Sequence, residues 1–279
     1  MAIHDQGYRR YGGRRETRGT AWTVIALAGL RALLRRRAFL ALLLAAWVLF
    51  LVRAVQFYAA ANYPQATFLA PGAETFRQFL EQQSFFVFII TVWVGSGLIA
   101  DDRRANALQI YLSKPLTRAE YVAGKAAILG ALLLLITWVP AVLLLIVQIV
   151  FAGNLTFMRH NLFLFPAITI FSFLEVLMTT FVMLALSSLS RSRLFVGILY
   201  TALIFFSQAL FGVLTAVTGG TRISWISYPA NLTQIGDVIF RLRPHYETPW
   251  PVSLVMIVAL VIVSAATLAW RVRGVEVVA

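Results

Sequence analysis

The sequence predicts an all-α, polytopic membrane protein with six transmembrane helices, and three observations support that prediction. The chain of 279 residues is 60% hydrophobic and 13% charged, and its mean hydropathy is +0.82. Soluble domains contain roughly 25% charged residues. Six apolar runs are each long enough for a helix to cross a hydrocarbon core of about 30 Å. The alternation over about ten residues that marks a membrane β-barrel strand does not occur in this sequence.

The apolar runs define the predicted spans and the domain organisation. The second run is the shortest, and Pro140 in the third run predicts a kink, because proline removes a backbone hydrogen bond from a helix. A basic cytosolic tail at 1–20, predicted to be disordered, precedes a single transmembrane domain at 21–279. The predicted spans are 38–60, 84–100, 126–151, 165–189, 194–217 and 251–270.

Basic residues predict the orientation of the spans in the membrane. Of the 24 Lys and Arg residues, 18 lie in the N-terminal segment, in alternate connections and in the C-terminal tail. Five lie in the remaining connections, and Arg53 lies within the first span. Cytoplasmic loops of membrane proteins carry the excess of Lys and Arg, so we expect both termini in the cytosol. Because topology accounts for the net charge of +13, we expect a lipid bilayer and no nucleic acid as partner.

Composition argues against several other functions. The chain has no cysteine, and its three histidines are scattered outside the predicted spans. Thiol chemistry is thereby excluded, and a metal cluster or an intramembrane serine protease is disfavoured. An ion-coupled secondary transporter usually has several buried ionisable groups and inverted repeats. This sequence has one intramembrane Glu and no internal repeat, which makes that class the weaker alternative.

Segments outside the spans are predicted to form additional short helices. Residues 21–37 combine apolar residues at near-helical spacing with four arginines towards the end, as in an amphipathic helix at the lipid headgroup boundary. An overlong, irregular start to the first span is the alternative. We expect short interfacial or re-entrant helices within 218–250, and a further short helix at 73–80, in the connection after the first span.

The charged segment 101–125 has the pattern of an amphipathic helix between two spans. Asp101 or Asp102 can cap a helix N-terminus by accepting hydrogen bonds from its free backbone donors. Arg103 and other polar residues then face away from an apolar stripe, and Pro115 ends the element. The stripe comprises Ala105, Leu108, Tyr111 and Leu112.

A second helix start follows directly after this proline. Thr117 and Glu120 have the S/T-x-x-E spacing of a capping box, and Leu116 and Tyr121 occupy the two positions of a hydrophobic staple. Two such devices in succession predict a rigid joint at 114–117. Rigid attachment suits a helix through which a cytosolic partner moves a membrane span. A helix that only lies on the lipid surface fits the same residues.

Residues 95–125 read GSGLIADDRRANALQIYLSKPLTRAEYVAGK, with a Gly-rich end of the second span, an acidic pair, a YLSKPLTR turn and a YVAGK start to the third span. This run resembles the signature region of the type-two ATP-binding-cassette (ABC) permeases. Six spans and an N-terminal amphipathic helix extend the resemblance over the whole chain. The chain is similar to the small six-span exporter permeases, a group that includes the copper-maturation permease of nitrous oxide reductase and sodium or drug efflux permeases. The resemblance is carried by Gly95, Gly97, Asp101, Asp102, Arg103, Tyr111, Ser113, Lys114, Pro115, Arg118, Tyr121, Gly124 and Lys125.

The resemblance implies that residues 101–125, which we name the coupling segment, dock into a groove of an ABC ATP-binding subunit. It also implies that the chain is the transmembrane permease subunit of an ATP-driven exporter in the bacterial cytoplasmic (inner) membrane. A second permease chain, identical or different, is expected in the complex. The coupling residues that the resemblance implies are Asp101, Asp102, Arg103, Arg104, Leu108, Tyr111, Leu112, Lys114 and Pro115.

The chain is not expected to be an enzyme or to bind a cofactor, and ATP and Mg are expected on the ATP-binding subunit. A phosphate loop reads G-x-x-x-x-G-K-[ST]. Gly124 and Lys125 form the only Gly-Lys pair, but Ala126 follows them, and Ala119 stands at the position of the first glycine. An ABC-like complex that serves envelope, pilus or motility assembly, or metalloenzyme maturation, is the alternative to an exporter.

Glu175 is the one carboxylate near the middle of a predicted span. An ionisable group in the membrane is costly, so it is by default a candidate functional residue. Glu175 could line a substrate pathway or gate, could form a structural ion pair or hydrogen bond, or could be protonated without a role. Arg53 in the first span is a candidate partner, unless its side chain extends towards the membrane surface.

Overall fold

The computed structural model describes residues 20–63, 65, 71–107, 117–152 and 161–272. Within these ranges all regular structure is helical, and six helices are long and apolar enough to cross a membrane. The predicted fold class is therefore confirmed. The helices are α1 (Ala21–Leu34), α2 (Arg37–Asn62), α3 (Ala73–Ile90), α4 (Gly97–Arg104), α5 (Arg118–Ile136), α6 (Trp138–Ala152), α7 (Leu164–Leu189), α8 (Arg193–Thr218), α9 (Tyr228–Ile239) and α10 (Trp250–Arg271).

Each of the six predicted spans lies within a helical segment that is long and apolar enough to cross a membrane, and the second segment is much longer than predicted. It comprises α3, a π-helical segment at Thr91–Gly95 and α4, and runs over 32 residues, Ala73–Arg104. The helix predicted at 73–80 forms the first turns of this span and is not a separate element. Its sequence is polar, but it contains no proline or glycine that would end a helix before the apolar part begins.

The prediction that Asp101 or Asp102 caps a new helix is wrong. Both residues lie inside α4, which continues the second span beyond its apolar part. The helix ends only at Ala105, and the next residue, Asn106, has a left-handed backbone with φ of 51°. The change from apolar to charged residues therefore marks the expected edge of the membrane, while the helical backbone continues past it.

α1 forms a separate helix before the first span, as predicted. It ends at Leu34, and the backbone at Arg36 is extended before α2 begins, which excludes one continuous helix. α1 packs along α5, where a Cβ atom at Gly124 would lie 2.8 Å from the Cβ of Ile25. Because glycine lacks that atom, the two helices approach closely. The N-terminal helix is thereby held against the third span.

The third span is interrupted at Thr137, between α5 and α6. Pro140 has no N–H to donate to the carbonyl of Ile136 one turn earlier, which explains a break at this position. The Trp138 Nε1 donates a hydrogen bond to the hydroxyl of Thr169 on α7, at 3.1 Å. The break lies where Pro140 predicts a kink, and this hydrogen bond connects it to the fourth span.

The connection before the last span contains short helices, as predicted. A 3-10 turn at Ser224–Ile226 leads into α9, and the Ser227 hydroxyl caps α9 by accepting a hydrogen bond from the N–H of Ala230, at 3.2 Å. α9 packs against α7, α8 and α10 and covers the end of the bundle opposite to the coupling segment. Its buried polar side chains are Asn231, Gln234 and Asp237.

α7, the fourth span, lies at the centre of the bundle. Of its apolar stretch 67% is buried, against 17% to 50% for the other five spans. It packs against the second, third, fifth and sixth spans and also against α9. Glu175 lies near its middle, and only 2% of this residue is exposed. The central helix therefore places a carboxylate inside the protein, away from any lipid-facing surface.

Candidate functional site

The π-helical segment Thr91–Gly95 lies within the second span, between α3 and α4. A π-helix changes the backbone hydrogen bonds from i→i+4 to i→i+5, and such segments occur often at functional sites. The Ser187 hydroxyl of α7 accepts hydrogen bonds from the N–H groups of Ile99 (3.1 Å) and Ala100 (3.0 Å). It donates to the carbonyl of Ser96 (2.9 Å). One side chain of the fourth span thus satisfies three backbone groups beside the irregular segment.

Two arginines attach the same region to the neighbouring helices. Arg193, at the start of α8, donates from its guanidinium to the carbonyl of Trp93 inside the π-helical segment, at 2.5 Å. Arg103, predicted as a coupling residue, donates to the carbonyl of Ser188 near the end of α7. Arg103 therefore holds α4 against α7, and its guanidinium is directed into the bundle.

Asp102, Tyr121 and Lys125 form a polar group between the second and third spans, which we name the Asp102 cluster. The Lys125 Nζ lies 2.6 Å from the Asp102 Oδ2, and the Tyr121 hydroxyl donates to the same oxygen at 2.7 Å. The Lys125 ammonium also lies 5.5 Å from the centre of the Tyr121 ring. Charge-assisted hydrogen bonds of this length are about twice as strong as neutral ones. The two ends of the coupling segment are therefore bonded directly to each other.

The capping box predicted at the start of the third span is confirmed. The Thr117 hydroxyl accepts a hydrogen bond from the N–H of Glu120 (3.2 Å), and the Glu120 carboxylate accepts one from the N–H of Thr117 (2.9 Å). At the end of the second span, the predicted coupling residues Asp101 and Arg104 are exposed. The other predicted residues of this segment lie outside the described residues: Leu108, Tyr111, Leu112, Lys114, Pro115 and Leu116.

A cavity of about 280 Å³ lies between α3, α7, α8 and α9. We name it the Glu175 cavity. Its charged lining residues are Arg77, Glu81 and Glu175, and most of the remaining wall is aromatic or aliphatic. The rings of Phe88 and Tyr200 are nearly parallel, at 18°, with centroids 6.1 Å apart. The aromatic lining residues are Phe85, Phe88, Phe171, Tyr200, Phe205 and Tyr228.

The Glu175 carboxylate has one hydrogen bond. Its Oε1 accepts from the Ser84 hydroxyl on α3 at 2.8 Å, and its Oε2 has no partner in the described part of the chain. Arg53 does not supply one: its guanidinium donates to Gln56 in its own helix at 2.8 Å. Glu175 therefore forms no ion pair with Arg53, but it forms a hydrogen bond with the second span.

A second charged group, the Arg77 cluster, lies beside the cavity and comprises Arg77, Glu81, Asp237 and His245. The Arg77 guanidinium is 3.8 Å from Asp237 and 3.9 Å from Glu81, and it lies 4.9 Å from the centre of the Phe171 ring. Asp237 is fully buried and accepts hydrogen bonds from the His245 backbone N–H (3.0 Å) and imidazole Nδ1 (2.6 Å). The charge of Arg77 is thus matched by two carboxylates.

Tyr228 on α9 contributes a neutral hydroxyl to the cavity wall. Burial raises the pKa of Tyr228 to about 12, so the phenol stays protonated at neutral pH. Its oxygen lies 3.1 Å from the Thr179 hydroxyl of α7, and the two groups satisfy each other. Among the described lining residues, the buried side-chain atoms without a hydrogen-bond partner are the Glu175 Oε2 and the Arg77 Nε.

The sequence predicted neither the Asp102 cluster nor the Arg77 cluster as a unit. The sequence places Arg77 among the basic residues of an outer connection. It places Asp237 among the polar residues of a connection that contains both polar and apolar residues. A signal was present at Asp237, which is an isolated charge among apolar residues, where a charge requires a partner, but not at Arg77, which lies in a polar stretch. Nothing in the spacing indicated that the partner of Arg77 lies 160 residues further along the chain, at Asp237.

Comparison with known protein families gives a match over residues 23–272 to the family described as ABC-2 family transporter protein. The chain belongs to the ABC-2 transporter family. This confirms the resemblance seen in the sequence, and the matched range includes all six spans of the ABC-2 protein. Membership makes the chain a multi-pass membrane transport component and implies association with an ABC ATP-binding subunit. Comparison with curated proteins finds no match.

Two regions of this ABC-2 permease are therefore suited to function. The Asp102 cluster and the π-helical segment connect the coupling segment to the centre of the bundle. The Glu175 cavity lies on the other side of the π-helical segment, where an unpaired carboxylate oxygen meets an aromatic wall. The second span contributes to both regions.

Proposed function

We propose that this ABC-2 permease is the transmembrane subunit of an exporter in the bacterial cytoplasmic membrane. A separate subunit binds ATP and Mg and hydrolyses the ATP, and a second permease chain, identical or different, completes the complex. Family membership supports the general role. The Asp102 cluster is the observation that best supports the coupling role, because it bonds both ends of the coupling segment to each other at the membrane edge.

The Asp102 cluster provides a direct mechanical route from the coupling segment into the second and third spans. Asp102 belongs to α4, and its partners Tyr121 and Lys125 belong to α5. A displacement of the coupling segment by the ATP-binding subunit therefore moves both helices together. A flexible connection would absorb the same displacement without moving either span.

The contacts of α4 extend this route to the centre of the bundle. Ser187 binds the backbone of α4, and Arg103 binds the end of α7, so the second and fourth spans move as neighbours. The π-helical segment Thr91–Gly95 gives the second span a position at which α4 can change its angle to α3. In the proposed mechanism, this change of angle alters the shape of the Glu175 cavity.

The distribution of basic residues supports the proposed orientation. The 18 Lys and Arg residues in the N-terminal segment, alternate connections and C-terminal tail favour a cytosolic coupling segment and cytosolic termini. The Glu175 cavity then lies in the half of the bundle that is further from the cytosol. This arrangement places the ATP-binding subunit and the cavity on opposite sides of the π-helical segment.

Substitution of Leu108 or Tyr111 by Asp tests the proposal. Leu108→Asp or Tyr111→Asp places a charge on the predicted apolar stripe, and each is expected to abolish association with the ATP-binding subunit while membrane insertion stays normal. The measurement is purification of the tagged permease from membranes of its host, with quantification of the bound ATP-binding subunit by mass spectrometry and of vanadate-sensitive ATP hydrolysis.

Arg222→Asp is the matched control for this experiment. Arg222 is exposed in the connection before α9, at the opposite end of the bundle from the coupling segment. The control variant is expected to retain the ATP-binding subunit. Retention of that subunit by both coupling variants, at the level of the unaltered protein, would contradict docking through this segment.

A further inference from the structure

We infer that the Glu175 cavity is a binding site for a small organic cation with an apolar body. The inference rests on the proposed transport function for its physiological meaning, because it names the class of molecule that the permease would carry. Ligand binding to the cavity can be measured on the permease chain by itself, without an ATP-binding subunit.

The unpaired oxygen of Glu175 is the first observation. Only 2% of Glu175 is exposed, one oxygen accepts a hydrogen bond from Ser84, and the other has no partner in the described part of the chain. No Lys, Arg or His nitrogen of the described residues lies within 4.0 Å of this carboxylate. A buried carboxylate without a counter-ion is unfavourable, and a bound cation would remove that cost.

The charges around the cavity favour a cation over an anion. Two carboxylates, Glu81 and Glu175, and one guanidinium, Arg77, line the wall, so one formal negative charge is in excess. Arg77 is already engaged by Asp237 at 3.8 Å and by Glu81 at 3.9 Å. The guanidinium therefore already has two counter-charges, although its buried Nε has no hydrogen-bond partner in the described part of the chain. Glu175 has no basic nitrogen of the described residues within 4.0 Å.

The aromatic wall favours an organic cation over a metal ion. A metal ion such as Mg²⁺ or Ca²⁺ requires about six or more oxygen ligands. In the described part of the chain no group of three or more His, Asp or Glu side chains is placed to hold a metal ion. Phe88, Tyr200 and Tyr228 instead line the cavity, and aromatic rings attract cations with apolar substituents.

The volume of the cavity and its opening at the bundle surface limit the size of the ligand. A volume of about 280 Å³ lies near the lower end of the range for small-molecule sites. Three lining side chains are themselves exposed at the bundle surface, namely Glu81, Phe85 and Phe205. The cavity therefore reaches the bundle surface between α3 and α8.

Binding of benzyltrimethylammonium to the purified chain in lipid nanodiscs tests the inference. The probe carries a permanent charge and an aromatic body, and isothermal titration calorimetry reports its affinity. N,N-dimethylbenzamide, which is neutral and of similar size, and toluenesulfonate, which is anionic, serve as comparison ligands. We expect measurable binding of the cation and at least about tenfold weaker binding of the other two.

Two variants test the residues. Glu175→Gln is expected to weaken cation binding by about tenfold or more, because it removes the counter-charge. Phe88→Leu is expected to weaken it several-fold, because it removes one aromatic face and leaves the carboxylate in place. Phe86→Leu is the matched control, since Phe86 is a half-buried phenylalanine of the same helix that does not line the cavity.

The outcomes separate this inference from the proposed function. Absence of cation binding by the folded chain, unchanged binding in Glu175→Gln, or equal loss in Phe86→Leu and Phe88→Leu would overturn the site. Equal binding of the neutral amide would indicate a protonated carboxyl and would also overturn it, as would preferential binding of toluenesulfonate. Each of these results leaves association with the ATP-binding subunit, measured separately, as it was.

Discussion

The Asp102 cluster and the Glu175 cavity differ in how completely the protein pairs their carboxylates. Asp102, whose side chain is 18% exposed, has an ammonium at 2.6 Å and a phenol at 2.7 Å on the same oxygen. Glu175 is 2% exposed, and in the described part of the chain its one hydrogen-bond partner is the neutral Ser84 hydroxyl. The cost of burying a charge rises with burial, so stability alone would favour the opposite distribution of partners. The difference supports a structural role for the cluster and the proposed cation site in the cavity.

Asp237 shows that the fold supplies donors and a counter-charge to a fully buried carboxylate close to the cavity. Its Oδ2 accepts two hydrogen bonds from His245, and its Oδ1, which has no hydrogen bond in the described part of the chain, lies 3.8 Å from the Arg77 Nε. The unpaired oxygen of Glu175 is thus not a consequence of a region that lacks polar donors. Replacement of Asp237, Asp102 and Glu175, one at a time, by the corresponding amide compares the three carboxylates by their effect on the free energy of unfolding.

Asp237→Asn is expected to have the largest effect, a loss of about 3 kcal/mol in the free energy of unfolding. The amide leaves the buried guanidinium of Arg77 without its closest counter-charge and replaces an acceptor of the His245 hydrogen bonds. Thermal denaturation in detergent measures the change. The control is Glu247→Gln, because Glu247 pairs with Arg222 at 3.5 Å on the surface, where an ion pair contributes about 0–1 kcal/mol. Equal effects of the two substitutions would contradict the assignment of Arg77 to a buried ion pair.

Asp102→Asn is expected to have an intermediate effect, a loss of about 1–2 kcal/mol. The Lys125 ammonium then keeps a neutral acceptor in place of a carboxylate, in a partly solvated position. Coupling is expected to suffer more than stability, with ATP hydrolysis by the complex no longer linked to transport. Glu247→Gln is the control, since Glu247 forms a surface ion pair at the opposite end of the bundle. If the control uncouples the complex as strongly as Asp102→Asn, the Asp102 cluster is not the connection.

Glu175→Gln is expected to have the smallest effect, a change of about 0.5 kcal/mol or less, or a small stabilisation. The amide can keep a hydrogen bond with Ser84, and it removes a buried charge that has no counter-ion. Thermal denaturation without added ligand is the measurement. A loss as large as that of Asp237→Asn would mean that Glu175 already has a charged partner in the protein, which would remove the difference between the two regions.

The sequence predicted the spans well, because hydrophobic length is a local property. All six spans, the separate helix α1 and the capping box of Thr117 and Glu120 followed from patterns within about 25 residues. The end of the second span was misjudged for a related reason. Asp101 and Asp102 have the residue type of a helix cap, but hydropathy locates the edge of the lipid and carries no information on whether the helix continues.

The contacts that build the candidate site could not be predicted, because they join distant parts of the chain. Glu175 was recognisable as an intramembrane carboxylate, yet its partner Ser84 lies 91 residues earlier. Ser187 has the composition of an ordinary small polar residue, and its three backbone contacts depend on an irregular helix in another span. A local pattern identifies an isolated charge, but only the packing of the helices identifies what the charge meets.

The π-helical segment sets the rotational phase of the second span. Its i→i+5 hydrogen bonds enclose one residue more than those of an α-helix, so one wide turn takes up an extra residue. Each residue of an α-helix turns the chain by about 100°. If the same residues closed into a regular α-helix, Asp102 would point about a quarter turn away from Lys125, while Ser84 would keep its angle to Glu175. A change of this one turn between π and α hydrogen bonding thus rotates one half of a membrane helix against the other.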